Sequence, residues 1–528
     1  MTANDLGQCE SVGVSTLVSW ALLLVSLSTL GCSSEVPQAA EKAKTGGMTL
    51  AIVTPPEAKA LWPLPSGWRL VITRARSVAG AGAETALDTE DPAEKPRVEA
   101  FAGGVTVLSL VWQDADGALR AKAVTGPAIV EPTTPDREVA VFVAPAGVDA
   151  RVVTVVAADG EAVAHPGRLG EAVAVVNSGE VYVSGGAAHA GGDPCAGGTT
   201  GVPTAAAWRF DPADHTFTAL PAMAQPRAYH TASVLPGGTV AWLGGQTSAD
   251  GGAGKSPATT ASVDLLRANQ GTVSAAPVGL SQPRGKHCAV VVEGKVVVAG
   301  GVGPGAKTIE LWDPGLGTLA TGTLLQPRSG HRCAYLTDPV SEERTVWLLG
   351  GTTQSGAGVP VAVNTIEVWA IDGSKLLSKG TLQMPSGPVS HLAGAVIQSP
   401  LGIAIAGGLG GSGGTTPSTE VWFRGLPGAK WTAGGALTVG RACAATVQVG
   451  PRLILGGGMT ASGLPDATVD IVDFAGVTPK VVANRELALP LAGAAASSMG
   501  NGGVLFTGGV ALDDKKLVAA DRLSWMWP

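Results

Sequence analysis

Gln282-Pro283-Arg284-Gly285-Lys286-His287 leads into an apolar run from Cys288 to Val292, a turn, a second apolar run from Lys295 to Ala299, and then the pair Gly300-Gly301. Ile309-Glu310-Leu311-Trp312-Asp313-Pro314 follows, and a further short strand-like stretch returns to Gln326-Pro327-Arg328-Ser329-Gly330-His331, where the sequence starts over. β-branched runs punctuated by Gly, Asp and Pro turns read as four short strands per unit.

Outward from this stretch the pattern recurs. Apolar runs close on a glycine pair at Gly185-Gly186, Gly244-Gly245, Gly300-Gly301, Gly350-Gly351, Gly407-Gly408, Gly456-Gly457 and Gly508-Gly509, at spacings of 49 to 59 residues. A period near 50 marks a repeat architecture in which each unit buries its faces against its neighbours. The Pro-Arg element returns around Arg227 and His230, Arg284 and His287, and Arg328 and His331. It is weaker around Arg168, Met384-Pro385 leading to His391, Arg441, and Leu489-Pro490. The third element returns at Trp208, Trp369 and Trp422.

Arg-x-x-His, an apolar strand, a glycine pair and an aromatic-Asp-Pro strand together resemble the kelch motif, over roughly residues 158 to 528. The resemblance implies an all-β fold, a kelch β-propeller of about seven four-stranded blades, with the glycine pairs where blades crowd together. The late aromatic of the motif is Trp431 in one unit, Phe217 in another and aliphatic elsewhere, and the last two units lack the histidine. The last unit stops one strand short, and Arg151 to Val156 is expected to supply that strand.

The composition agrees with such a fold. Gly is 75 of 528 residues and charged residues are only 15%, against about 25% in typical domains. The net charge of −7 is spread along the chain with no basic stripe, so a nucleic-acid partner is not expected.

The apolar run Leu17 to Leu30 ends in Thr29-Leu30-Gly31-Cys32 and resembles a signal peptide with a bacterial lipobox. That resemblance implies lipidation at Cys32, with residues 1–32 removed or modified on export and 33–45 a polar tether. It also implies a chain held to the membrane by its N-terminal lipid in the cell envelope, on the outer membrane or facing the periplasm. Of the remaining cysteines, Cys195, Cys288, Cys333 and Cys443 show no C-x-x-C spacing, so no metal site is expected. They read as small buried residues, or as one or two disulfides of an exported protein.

Residues 46–150 lack the repeat. Strand-like runs at 48–53, 68–73, 105–112, 119–124 and 138–143 read as a small β-sandwich-like domain, and 79–97 as a loop. Asp116-Gly117 reads as a hairpin turn. The propeller then occupies 151–528.

The repeat's own polar residues are the possible ligand-facing groups: Arg227, His230, Arg284, His287, Arg328, His331, His391 and Arg441 near the axial mouth. A residue that returns in every unit reads first as part of the fold, with each arginine pairing a turn carboxylate. Gly408 to Gly414 matches dinucleotide and nucleophile-elbow patterns, but Thr415-Thr416-Pro417 and a strand follow where both need a helix. Oxidases of the galactose-oxidase type carry kelch blades and a tyrosyl copper site, whereas Tyr182, Tyr229 and Tyr335 all lie in repeat strands or their entries. The reading is a binding or scaffold module for a protein or glycan, with no cofactor, presenting the loops 186–203, 247–260 and 352–363. The alternative is a sugar-active envelope enzyme of the sialic-acid mutarotase-like kelch type.

Overall fold

The computed structural model describes the strands and one turn between residues 45 and 153, and nearly all of residues 167 to 526 apart from short loop segments. Cys32 and His391 lie outside the described residues.

From residue 167 onward the chain is a succession of antiparallel sheets, most of them four-strand meanders, with Thr199–Pro203 added to sheet 1 and Val510–Asp513 and Lys516–Ala519 added to sheet 6. In sheet 3 these are Cys288–Val292, Lys295–Ala299, Thr308–Asp313 and Gly317–Thr323. Sheets 1 and 2 begin at Leu169 and Thr231, and sheets 4, 5, 6 and 7 at Arg332, Ala395, Ala445 and Ala495. The all-β succession fits a kelch-type propeller.

The second strand of each sheet is apolar on both faces because both faces are covered. Val240 and Trp242 of Thr239–Leu243 pack with Val176, Tyr182 and Ala207 of sheet 1. Their neighbours Ala241 and Leu243 point the other way, onto Val296, Val298 and Trp312 of sheet 3. Alternation along one strand thus serves two cores. The same arrangement joins Met499 and Leu505 of sheet 7 to Val181, Val183 and Phe210 of sheet 1.

Sheet 7 is composite. Its third strand, Leu523–Met526, is flanked on the outside by Ala150–Val153, with Arg151 opposite Trp525 and Val152 opposite Ser524. The described pairing covers Ala150 to Val153, beginning one residue before the stretch expected from the sequence, and residues 154–156 of that stretch lie outside the described residues.

The glycine pairs sit where the second strand of one sheet meets the entry of the next. The first glycine has φ near +60° and the second between about +80° and +116°. In the sixth unit this places the pair at Gly457-Gly458, one residue later than the sequence reading, because Gly456 is still in the strand. At Gly300 the conformation and the space both require glycine. A Cβ there would lie 2.5 Å from the Arg328 carbonyl and 2.7 Å from Cε1 of His331. Gly407 meets nothing closer than 3.0 Å, since Ala444 stands where the histidine would be.

Residues 45 to 145 form two further sheets. One is three-stranded and pairs Thr45–Val53 parallel to Arg137–Phe142. The other is built around Arg69–Arg76 and Gly104–Gln113. Asp114 to Gly117 makes the expected turn, with Asp114 Oδ1 accepting from the Asp116 amide. The stretch 79–97, expected to be a loop, contains the strand Ala83–Leu87. Its Ala- and Glu-rich sequence has low strand propensity, and its pairing with Arg69–Arg76 overrides that.

Candidate functional site

Four of the arginines singled out above are placed identically. Arg284 lies in the entry to sheet 3, where its backbone carbonyl accepts from the Gly245 amide of sheet 2. Its guanidinium turns into its own sheet. Nη1 donates to the carbonyls of Gly300 and Thr308, and Nη2 donates to the Thr308 hydroxyl and, at 2.7 Å, to Glu310. The second Glu310 oxygen accepts from the Ser281 amide. One side chain thus ties together the glycine pair, the third strand and the incoming loop.

Arg227, Arg328 and Arg441 repeat the geometry. Their carboxylate partners are Asp264, Glu367 and Asp470 at 2.7, 2.8 and 2.9 Å, each two residues after Ser262, Thr365 or Thr468. All four guanidiniums have 0% side-chain exposure. The partners lie on third strands, not in turns as expected. A buried cation costs several kcal/mol unless its charge and donors are met, and here carbonyls, a hydroxyl and a carboxylate meet the Nη1 and Nη2 groups of each one, while Nε of Arg284 and of Arg328 is buried without a partner. Where the entry arginine is missing, so is the acid. The third-strand position is Trp422 in sheet 5 and Ser524 in sheet 7, paired across from Ile405 and Phe506.

The histidines lie in the same junctions. His287 Nε2 is 3.0 Å from Thr231 Oγ1, His331 Nε2 is 3.0 Å from Cys288 Sγ, and His230 Nε2 is 2.8 Å from Ser184 Oγ. All three are buried. Desolvation, reinforced by the nearby arginine, pushes His287 down to about 3 and holds His230 and His331 well below the usual imidazole value. They are neutral packing groups at physiological pH. Glu171 takes the histidine position in sheet 1, where burial raises its carboxyl.

Two residues after the arginine position of each described entry segment lies a residue in the left-handed region: Gly170, Tyr229, Lys286, Gly330, Cys443 and Gly493. Their backbones are linked in series. Tyr229 N–H donates to Gly170, Lys286 to Tyr229, Gly330 to Lys286, and Gly493 to Cys443. The Lys286 ammonium sits 4.5 Å over the Tyr229 ring. Cys443 of this relay is bonded to Cys195, which comes from the long hairpin of sheet 1. Cys195 also packs against Leu409 and Ala442, and against the cluster of Leu169, Met459, Ala492 and Val510. The relay is thus covered by a loop stapled across 248 residues of sequence. A second bridge, Cys288 to Cys333, joins the first strands of sheets 3 and 4.

The structure therefore places the arginines and three of the histidines in the interior, not on a solvent-facing wall. An open cavity of about 260 Å³ lies elsewhere, on the outer part of sheet 4 facing sheet 5. Trp347 of the second strand and Lys379 and Thr381 of the fourth line it, with Asp338 and Glu343 at one end and Arg424 of sheet 5 on the far side. Arg424 lies 5.7 Å from the Trp347 ring, and Lys379 is ion-paired to Glu343 at 2.8 Å. A bulge between Val368 and Trp369, with Gly380 opposite at φ +95°, opens the sheet here. None of these residues stood out in the sequence. The available signal was the connection Asp338 to Glu343, whose counterparts are tight turns such as Glu293-Gly294.

No protein-family model matches the chain, and no curated protein matches it. Among solved structures, the chain is similar to one described as "Structure of YjhT", at 17% sequence identity and a TM-score of 0.44, covering 61% of this chain and 98% of that one.

Proposed function

We propose that the chain is an envelope-tethered kelch-type propeller of seven blades, closed on itself, that serves as a binding module for glycan or protein partners. Residues 46–150 form a sandwich-like domain between the lipid on Cys32 and the ring. Three contacts support closure. The Gly509 amide donates to the Arg168 carbonyl, as the amides of Gly186, Gly245, Gly301, Gly408 and Gly458 donate to the next entry segment. The apolar cluster of sheets 7 and 1 matches those between the other sheets, and Ala150–Val153 completes sheet 7.

One observation carries the binding role. The charged groups repeated in the blades are consumed by the blade junctions, while unit-specific polar residues gather in loops and in the sheet 4 cavity on a rigid frame. The test is the full mature protein, in detergent, on an array of envelope polysaccharides and oligosaccharides, with the ligands analysed chemically after incubation. Retention of unaltered ligand is expected. Anomerisation or cleavage of a retained sugar would replace this reading with the sugar-active enzyme. Metabolic labelling with a fatty acid, lost in Cys32→Ala, tests the tether.

A further inference from the structure

Within that reading, the cavity on sheet 4 has a chemistry of its own. Its volume lies just below the range of drug-sized pockets, so it accommodates a ligand of about one ring. Its floor is Trp347, whose Nε1 is already committed to the Thr345 hydroxyl 3.0 Å away, leaving an apolar surface toward the cavity. The acceptors at the end of the cavity are Glu343 and Asp338. Asp338 Oδ1 is occupied by the Val340 and Ser341 amides, which fixes that loop in place.

The positive groups differ from each other. Lys379 is neutralised by Glu343. Arg424 has no carboxylate within ion-pair distance among the described residues, whereas each of the four fully buried junction arginines has one. It lies 5.7 Å from the Trp347 ring, partly desolvated, and lines the cavity. Planar guanidinium donors recognise carboxylates in a two-pronged way that an ammonium does not.

We infer that this cavity binds a single-ring sugar acid of the uronate class, its carboxylate on Arg424, its apolar face over Trp347 and its hydroxyls on Glu343 and Thr381. The free sugar acid and the terminal residue of an acidic polysaccharide share this chemistry.

The inference rests on the binding-module reading, and one experiment separates the two. Titration calorimetry on the full mature protein uses glucuronate, galacturonate, a di-uronate, glucose and acetate. A uronate is expected to bind, with glucose and acetate at least about tenfold weaker. The di-uronate binds as tightly as the monomer if the natural ligand is a polymer end, and more weakly if it is the free sugar. Arg424→Gln is expected to weaken uronate at least about tenfold, as loss of a charge-assisted bond does. Thr381→Phe, an exposed strand position where an aromatic is well tolerated, is expected to fill the cavity and abolish binding with the thermal midpoint unchanged. Absence of uronate binding, or equal binding by wild type and both variants, overturns the site, and a neutral glycan retained on the array then leaves the module reading standing. Uronate turnover that is lost in both variants overturns the module reading and keeps the site.

Discussion

The Arg284 guanidinium and the Glu310 carboxylate meet at 2.7 Å with 0% of either side chain exposed. Three more pairs repeat the contact. Each ties the entry loop of a sheet to its glycine pair and third strand, where apolar packing supplies no directional contact.

Removing one member of a pair leaves the other charge buried and alone. Arg284→Met is expected to destabilise the protein by about 3–5 kcal/mol. Arg284→Met combined with Glu310→Leu is expected to recover most of the loss, since no charge then remains buried. Denaturant unfolding of the two variants checks the order. Equal losses would show that the pair acts by shape alone.

The glycine at a blade junction is matched to the histidine of the next blade. Gly300→Ala pushes a methyl toward His331 and the Arg328 carbonyl, while Gly407→Ala meets looser surroundings beside Ala444. Both pay for a left-handed backbone, but Gly300→Ala is expected to cost about 1–3 kcal/mol more, the usual range for overpacking. Thermal midpoints of the two variants test this.

Acid sensitivity follows from the neutral histidines. A histidine whose folded value lies below the unfolded 6.5 binds more protons when unfolded. Its stabilisation is therefore complete above pH 6.5 and is lost as pH falls from there toward its folded value, about 3 for His287. Each such histidine contributes a slope of about 1.4 kcal/mol per pH unit in that window. Glu171, raised by burial, works in the opposite direction, since its contribution is present at low pH and falls as pH rises above 4.5. Denaturant midpoints are expected to drop between pH 7 and pH 5, and less so in His287→Gln. A flat profile in the wild type contradicts neutral burial of the three rings.

The Cys195–Cys443 bridge closes a loop of 248 residues and is expected to contribute about 2–4 kcal/mol. Peptide mapping without reduction is expected to find Cys195 linked to Cys443 and Cys288 to Cys333. The double variant Cys195→Ser with Cys443→Ser is expected to expose the relay around Tyr229 to faster amide exchange, with little change in sheet 3.

Much of the frame was legible in the sequence, and for a physical reason. Glycine pairs and doubly apolar strands return at every junction between sheets, and Arg-x-x-His at three of them, so they can be seen. The partners of the arginines were not legible, because hairpins of different length separate Arg227 from Asp264 by 37 residues and Arg284 from Glu310 by 26. Only the register to the glycine pair is constant. The left-handed position escaped notice because Tyr229, Lys286 and Cys443 share a backbone shape with Gly330 but no side-chain chemistry. The bulge of sheet 4 has counterparts in sheets 3 and 6, but the longer connection from Asp338 to Glu343 that joins it at the cavity belongs to sheet 4, and a feature that does not repeat leaves no periodic trace. The cysteine pairs depend on which loops fold over the relay, which spacing does not encode.

The proposed closure of the sheets into a ring is tested most directly at its seam. Removing residues 523–528 deletes the strand that joins Val504–Thr507 to Ala150–Val153 and so unties the N-terminal strand from sheet 7. The truncated protein is expected to unfold at least about 5 °C below the full chain, the shift of a loss of a few kcal/mol in a domain this large. An unchanged thermal midpoint would mean that the sheets do not close on one another.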